Sequence, residues 1–331
     1  MRILFIGGTG NISLACSYAA LEKGCEVFHL NRGSQPGLAP AGVTTLTADI
    51  RDPVQTARAL EGLRFDSVVD WVAYLPQHIE VDIEAFAAIT DQFVFISSAS
   101  AYKKPPDHWV VDESTPLDNP FWQYSRDKIA CEKILQRAFR QKNFPCTIVR
   151  PSHTYSESWL PTSFGSRDYT VPNRILQGRE IIVHGDGQSL WTLTHSRDFA
   201  RGFTGILGNP LALGEAFHIT SEEALTWDNI HRLLAQGLGV EPRIVHIPSD
   251  FIYRECPERG ASLLGDKAYS TVFDNSKIKR FVPEFKTEIP FHEGLKMSLA
   301  WFDRHPRAKV SNPQTDADIE RILNAWRKKC G

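Results

Sequence analysis

The chain has 331 residues, of which 42% are hydrophobic and 23% charged, and its 37 Lys and Arg against 39 Asp and Glu leave a formal net charge of −2. This composition excludes a largely disordered chain, and the length suits one large α/β unit or two domains. The weak net charge argues against a main function in binding nucleic acid, because neutralising phosphates needs clustered positive charge. Six cysteines without a C-x-x-C pair predict reduced thiols rather than disulfides or a zinc site.

The N-terminal half predicts strands that alternate with helices. Short apolar runs predict buried strands at 3–6, 25–30, 44–46, 67–72, 93–96 and 146–149. Helical spacing and end signals predict helices at 12–23, 53–60, 79–88 and 124–141. This alternation indicates an α/β fold with a Rossmann-like, doubly wound parallel sheet.

The remainder of the chain predicts a smaller second lobe, because segments rich in Pro, Ser and Gly separate shorter elements after residue 155. We expect a dinucleotide-binding domain at 1–155, to which segments near 190–220 return. It is followed by a mainly substrate-binding lobe at 156–310 and by a C-terminal segment at 311–331, which we expect to be helical over 316–329. No run approaches the ~20 apolar residues that span a bilayer, and the start lacks a signal-peptide core, so we expect a cytoplasmic protein without membrane contacts.

A glycine-rich loop follows the first predicted strand, and residues 7–13 read Gly-Gly-Thr-Gly-Asn-Ile-Ser. Backbone N–H groups and the positive dipole end of a helix start form a site for a diphosphate. The pattern is G-x-x-G-x-x-S rather than the strict G-x-G-x-x-G, and a tight turn alone would also need glycine. The position after the first strand favours a dinucleotide. The expected contacts are Gly7, Thr9, Gly10, Asn11 and Ile12.

The end of the second strand bears on the choice between NADP and NAD. NAD sites usually place Asp or Glu there, whereas this chain has Asn31 and Arg32. Arg32 can pair bidentately with a 2′-phosphate, so NADP is the preferred cofactor. The alternative is that NAD binds and Arg32 is only a solvated cation. Asp49 and Ile50 follow the third strand and are placed to meet the adenine, although Asp49 could only cap the next helix.

A serine cluster and a tyrosine–lysine pair are the candidate chemical groups. Tyr124 and Lys128 are four residues apart on a predicted helix and therefore share a face. Ser97, Ser98 and Ser100 follow the fifth strand, where open α/β sheets bind ligands. The pair is weak evidence alone, and the serines could only cap the strand end.

Five motifs follow one another along the chain: the glycine loop, Asp49-Ile50, the serine cluster, Tyr-x-x-x-Lys and Val-Arg-Pro-Ser at 149–152. Together and in this order, they resemble the motifs of the extended short-chain dehydrogenase/reductases, the NAD(P)-dependent epimerase/dehydratase family. The resemblance covers about residues 1–305. It implies that Tyr124 is the acid/base, that Ser98 binds the substrate oxygen, and that Lys128 assists and holds the nicotinamide ribose. It also implies a homodimer formed through long helices.

The resemblance further implies where the two ligands meet. Ala73 and Tyr74 after the fourth strand, with Ser97, Pro151 and Ser152, would line the nicotinamide end, although Tyr74 could equally be a packing residue. The substrate would contact Ser98, Ser100, Tyr124, His153, Arg174 and Trp191. A lone histidine such as His153 is more often structural.

Two departures from the family pattern bear on the substrate. The basic residue expected near a nucleotide diphosphate is replaced by Leu190 or Trp191, and Arg167, Arg174 and Arg179 are either substitutes for it or solvated cations. The serine cluster also lacks the Asp-Glu pair of the dehydratases, which disfavours dehydration.

The sequence therefore predicts an NAD(P)-dependent oxidoreductase or epimerase. It would act on a hydroxyl or keto group of a sugar or sugar-nucleotide-like substrate by hydride transfer, without a metal. The alternative is a non-catalytic dinucleotide-binding regulator or RNA-associated protein of the same fold.

Overall fold

A computed structural model describes residues 1–33, 37–164 and 168–330. The strands are β1 (Arg2–Ile6), β2 (Glu26–Asn31), β3 (Thr44–Thr47), β4 (Ser67–Asp70), β5 (Phe93–Ile96), β6 (Val110–Val111), β7 (Cys146–Pro151), β8 (His153–Tyr155), β9 (Glu180–His184), β10 (Leu190–Trp191), β11 (Leu193–His195), β12 (Ala216–Ile219), β13 (Leu225–Thr226), β14 (Arg243–Ile247) and β15 (Val272–Phe273). The helices are α1 (Ser13–Glu22), α2 (Pro53–Leu60), α3 (Pro76–Phe86), α4 (Gln123–Lys142), α5 (Thr170–Leu176), α6 (Ser196–Ile206), α7 (Trp227–Gly237), α8 (Ser249–Glu255), α9 (Pro257–Ser262), α10 (Ser276–Phe281), α11 (Phe291–Arg304) and α12 (Pro313–Cys330).

Seven strands form one parallel sheet in the order β12-β7-β5-β4-β1-β2-β3, which confirms the predicted doubly wound α/β fold. The chain builds outward from β1 to β3 and then crosses back to add β4 on the other side of β1. The carboxyl ends of β1 and β4 therefore flank the point where the strand order reverses. Open α/β sheets bind their ligands at this crevice.

Both faces of the sheet are buried, which explains why its strands are continuous apolar runs. Ile3 and Phe5 of β1 point to one face and pack in a core with α1 and α6. Leu4 and Ile6 point to the other face and pack in a core with α2, α3 and α4. Side chains alternate between the faces of a strand, so one short run serves both cores.

Three predicted boundaries shift for local reasons. β4 ends at Asp70, two residues early, because the Asp70 carboxylate accepts the N–H groups of Val72 and Ala73 and turns the chain. α3 begins at Pro76 instead of residue 79, since proline has the φ of a first helical residue and needs no N–H partner there. α12 begins at Pro313 for the same reason, after Asn312.

A third core joins the later elements to the C-terminal helix. Trp227 of α7 is fully buried in it, and Ile319, Ile322 and Leu323 of α12 pack against the same cluster. α12 therefore packs against this core and is not a free tail. Among the described residues, no helix combines the length and the apolar character needed to cross a membrane.

Candidate functional site

A cavity of about 1420 Å³ opens at the carboxyl edge of the sheet. One end is formed by the glycine loop and the strand ends of β2 and β3, and the middle by the ends of β4, β5 and β7 with α4. The far end is formed by five side chains between residues 258 and 267 and by aromatic side chains. This volume exceeds that of a pocket for one drug-sized ligand, so an extended ligand can bind with a second ligand beside it.

The glycine loop is closed by Ser13, the small residue at its end. The Ser13 hydroxyl accepts from Gly10 N at 2.8 Å and donates to the Gly7 carbonyl at 2.9 Å. Gly7 has φ +81°, and a Cβ there would overlap a methyl group of Val72, so glycine is required. Gly7, Thr9, Gly10, Asn11 and Ile12, the residues predicted to contact the cofactor, all line the cavity.

A buried histidine lies behind this loop and was not identified from the sequence. His29 Nε2 lies 2.8 Å from the Ser17 hydroxyl, and burial lowers the pKa of His29 to about 4. A Cβ on Gly8 would overlap the imidazole ring. The second glycine of the loop therefore serves packing against β2 rather than contact with a ligand.

The residues predicted for the adenosine end also lie along this cavity. Asn31, Arg32, Asp49 and Ile50 line the cavity. Arg32 is exposed and has no ion pair within the described parts of the chain, whereas the neighbouring Arg51 is held by two buried aspartates. The Asp49 carboxylate accepts from the backbone of Arg51, and the cap of α2 is Asp52 instead.

Ser98, Tyr124 and Lys128 line the middle of the same cavity. The Lys128 ammonium donates to the carbonyl oxygens of Ala73 and Ile96, each at 2.7 Å, and burial lowers its pKa to about 8. Burial raises the pKa of the Tyr124 phenol above its ordinary value, although a hydrogen bond with Ser98 acts in the opposite direction. The Tyr124 phenol is therefore protonated at neutral pH in this structure.

The three serines of the cluster have different hydrogen-bond partners. The hydroxyls of Ser98 and Ser100 lie 2.9 Å apart, and Ser125 of α4 donates to Ser100 at 2.8 Å. Both Ser98 and Ser100 line the cavity. Ser97 lines the cavity as well, and its hydroxyl donates to the buried Glu132 at 2.5 Å.

The expected nicotinamide end is only partly as predicted. Tyr74, Pro151 and Ser152 line the cavity, and the Ser152 hydroxyl lies 2.9 Å from that of Thr194. Ala73 is fully buried and does not line the cavity. Its carbonyl oxygen holds Lys128 instead, so its contribution is to place that lysine.

Arg174 is not a substrate contact, which corrects the sequence-based expectation. Its guanidinium is buried and donates to Asp316 and Glu320 of α12, both at 2.7 Å, and to the Glu180 carbonyl. Arg179 binds the same two carboxylates. Both arginines secure the C-terminal helix, while Arg167 lies outside the described residues.

His153 and Trp191 do reach the cavity. The imidazole of His153 packs against Trp159 and Trp227, and burial, with the nearby Lys267, lowers its pKa to about 3. The ring nitrogens His153 Nε2 and Trp191 Nε1 are buried and have no hydrogen-bond partner in the described chain. Where the family pattern expects a basic residue, this protein has an aromatic wall.

Four further residues were missed because no local motif marks them. Glu132 forms a buried bidentate pair with Arg150, and Asn119 links separate parts of the site. Asp266 and Lys267 enter the cavity from one turn of π-helix at Leu263–Lys267. No group of three metal-binding side chains is present in residues 1–33, 37–164 and 168–330.

A parallel sheet with a phosphate loop and a Ser–Tyr–Lys group in one cavity defines an enzyme of the short-chain dehydrogenase/reductase class. Residues 3–219 match the NAD dependent epimerase/dehydratase family. The chain therefore belongs to this family, which confirms the relationship predicted from the motifs.

Similar proteins cover several activities. The chain is 24% identical over 322 residues to 2'-dehydrokanamycin reductase of Streptomyces kanamyceticus, which covers 97% of this chain and 90% of that protein. It is 27% identical over 267 residues to the chloroplast stem-loop binding protein of 41 kDa b of Arabidopsis thaliana, covering 76% and 67% of the two chains. UDP-glucuronic acid 4-epimerase of Bacillus cereus, solved with UDP-glucuronic acid and NAD, superposes with a TM-score of 0.73 at 17% identity over 92% of this chain and 100% of that one.

Proposed function

We propose that the protein transfers a hydride between NAD(P) and a hydroxyl- or keto-bearing carbon of a carbohydrate-type substrate. The observation that carries this proposal is that the glycine loop and Ser98, Tyr124 and Lys128 line one continuous cavity. The named relatives include a reductase and a sugar-nucleotide epimerase, which supports the reaction class.

The residues present fit a dinucleotide. The loop at 7–13 has no side chain at Gly7 or Gly10, so backbone N–H groups can approach a diphosphate. Arg32 would hold the adenosine ribose or its phosphate, and Lys128 the nicotinamide ribose. The bound nicotinamide would supply the hydride in reduction and accept it in oxidation.

In the direction of reduction, the neutral Tyr124 phenol would be the proton donor. A neutral phenol can donate a proton to a substrate carbonyl oxygen while the carbon receives the hydride, which converts C=O to CH–OH and oxidises the cofactor. Ser98 would donate a hydrogen bond to the same oxygen. The Lys128 ammonium would stabilise the phenolate left behind, since an adjacent positive charge favours the ionised phenol.

The decisive experiment follows NADPH oxidation with keto derivatives of free sugars, sugar phosphates and nucleotide sugars. Tyr124→Phe should reduce turnover by about 10²–10⁴-fold, the range for general acid catalysis, with NADPH affinity retained. Full turnover by this variant would contradict the assignment. Cofactor that stays bound without net oxidation while product forms would identify an epimerase.

We also propose that NADP is preferred over NAD. Arg32 is exposed at the adenosine end, and no carboxylate of the described chain neutralises it. A charge-assisted hydrogen bond is worth about 1.5–3 kcal/mol, so Arg32→Ala should weaken NADPH binding about 10- to 150-fold and NADH binding far less. Equal losses for both cofactors would refute the preference.

An RNA-associated role is the second candidate, favoured by the similarity to the chloroplast stem-loop binding protein. Under this alternative, Tyr124→Phe would leave RNA binding in a gel-shift assay and the biological activity unchanged. The net charge of −2 supports the enzyme instead.

A further inference from the structure

Three serine hydroxyls form a chain from the interior of the molecule to the cavity. Ser125 of α4 is fully buried, Ser100 is buried at the cavity wall, and Ser98 lines the cavity and is only partly buried. The Ser125 hydroxyl donates to the Ser100 oxygen at 2.8 Å, and the hydroxyl oxygens of Ser100 and Ser98 lie 2.9 Å apart. Ser125 occupies an unspecified position of the Tyr-x-x-x-Lys motif, so the sequence assigns it no role.

The backbone holds these three residues in place. One 3₁₀ turn at Ala99–Ala101 brings Ser98 and Ser100 together, and the Ser98 oxygen accepts the N–H of Ser100 at 3.2 Å. The Asn119 amide donates to the Ser100 carbonyl at 2.8 Å, which ties the turn to the segment before α4. The separations of the serine oxygens are therefore fixed, and only the directions of their hydrogens remain to be assigned.

These directions follow from counting donors and acceptors. A serine hydroxyl has one hydrogen to donate and two lone pairs that accept. Ser125 donates to Ser100, and the hydrogen of Ser100 can then go to Ser98. In this arrangement the Ser98 oxygen accepts both the N–H and the O–H of Ser100, which uses both of its lone pairs. Ser98 is then left with its own hydrogen and can act towards the cavity only as a donor.

The opposite direction between Ser98 and Ser100 is less favourable. The Ser100 oxygen would accept two hydrogens, and its own hydrogen would need an acceptor although this residue is only 2% exposed. A buried donor without an acceptor destabilises the folded state. The effect on Tyr124 agrees with this assignment: burial raises the pKa of that phenol, but Ser98 opposes the rise, as a donor to the phenol oxygen does.

A Ser98 hydroxyl restricted to donating matches the oxygen of a carbonyl substrate. That oxygen accepts hydrogen bonds, and it gains negative charge as its carbon receives the hydride. Donors that already point at such an oxygen stabilise the charge without having to reorient as it develops. Without Ser125, the Ser100 hydroxyl could rotate, and Ser98 could turn its hydrogen towards Ser100 and away from the substrate.

We propose that Ser125 is a positioning residue, which acts through Ser100 to keep the Ser98 hydroxyl as a donor to the substrate oxygen. Ser125 is buried behind Ser100 and would not itself touch the substrate. This inference rests on the proposed function for the reaction, but the hydrogen-bond chain can be tested without turnover.

Urea unfolding of Ser125→Ala, Ser98→Ala and the double variant tests the chain. Both residues contact Ser100, and the hydrogen bonds of a chain strengthen one another. We therefore expect the double variant to lose less free energy of unfolding than the sum of the two single losses. Losses that simply add would show that no chain links Ser125 to Ser98, and they would overturn the inference.

NADPH oxidation with the keto sugar that the wild-type protein reduces fastest tests the positioning role. Ser98→Ala should lower kcat about 10²–10³-fold, the effect of losing one donor to a developing oxyanion. Ser125→Ala should lower kcat about 2- to 13-fold, the equivalent of one neutral hydrogen bond, with the KM for NADPH unchanged. In the Ser98→Ala background the same change should alter kcat by less than about twofold, because the hydroxyl that it directs is gone.

Ser298→Ala is the matched control, because Ser298 of α11 is also fully buried and its hydroxyl donates to the Ser156 carbonyl at 3.0 Å. It should lower stability without lowering kcat. A Ser125→Ala protein with the kcat of wild type, or one with the same relative loss when Ser98 is already alanine, would overturn the inference. If wild type reduced no keto sugar, the proposed function would fail, whereas losses in urea smaller than their sum would still establish the chain.

Discussion

Asn119 is the residue whose replacement most directly tests how the site is held together. Its side chain is 1% exposed and donates to the carbonyl oxygens of Ser100 at 2.8 Å and Gly265 at 2.6 Å. Its oxygen accepts the N–H groups of Phe121 and Trp122 at 3.2 and 3.1 Å. One amide thus joins the serine turn, the start of α4 and the π-turn.

The expected cost follows from these four hydrogen bonds. Each contributes about 0.5–1.5 kcal/mol net, so Asn119→Ala should lower the free energy of unfolding by about 2–6 kcal/mol. Asn119→Asp keeps both acceptor contacts, but it places a carboxylate oxygen against the carbonyls of Ser100 and Gly265. We therefore expect this isosteric variant to be destabilised as well.

Urea unfolding followed by tryptophan fluorescence measures this loss. Asn209→Ala is the matched control, because Asn209 makes one exposed hydrogen bond, to Leu211 N at 3.0 Å, and should cost about 1 kcal/mol or less. A loss for Asn119→Ala no larger than that of the control would refute the reasoning. The NADPH affinity of the Asn119→Ala protein, measured without urea where it is folded, should change little, because the glycine loop does not contact Asn119.

Three further changes probe other parts of the molecule. Glu132→Ala leaves Arg150 as an uncompensated buried charge and should lower the free energy of unfolding in urea by about 3–5 kcal/mol. The double variant Glu132→Leu with Arg150→Met should recover most of this loss. A double variant as unstable as the single one would contradict this explanation. Gly8→Ala should cost about 1–3 kcal/mol and weaken NADPH binding, because the methyl group displaces His29; unchanged thermal stability would contradict that overlap. Since the folded pKa of His29 is about 4 and the unfolded value about 6.5, the unfolded chain binds more protons between these values, and stability should fall by up to about 1.4 kcal/mol per pH unit on acidification. Between pH 7 and pH 5, the free energy of unfolding should therefore fall less for His29→Gln than for wild type. For the exposed variant His108→Gln, it should fall as much as for wild type.

The cofactor half was largely predictable from the sequence because its signals are local. Apolar runs, helix-end residues and the glycine loop each act over a few neighbouring residues, and the loop residues predicted to bind the cofactor do line the cavity. The spacing of Tyr124 and Lys128 also places both on one side of α4. Hydrogen bonding by Ser97 was not predictable, since Glu132 lies on another element.

The part of the chain after residue 155 shows what the sequence patterns did not predict. Arg174 and Arg32 are both basic residues that the sequence offers as ligand contacts, yet Arg174 is neutralised by Asp316, 142 residues later. Asp266 has no motif around it, and only the packing of Gly265 on Trp122 brings it to the cavity.

The sequence by itself determined the order of the elements, the glycine loop and the candidate reactive side chains. Tertiary structure decided which charges remain available to a ligand and which are consumed in ion pairs. An ion pair forms only where packing brings two side chains within about 4 Å, and that packing joins elements far apart in the chain. Local periodicity carries no information on such distances. The residues that line the far end of the cavity can therefore be identified only from the folded structure.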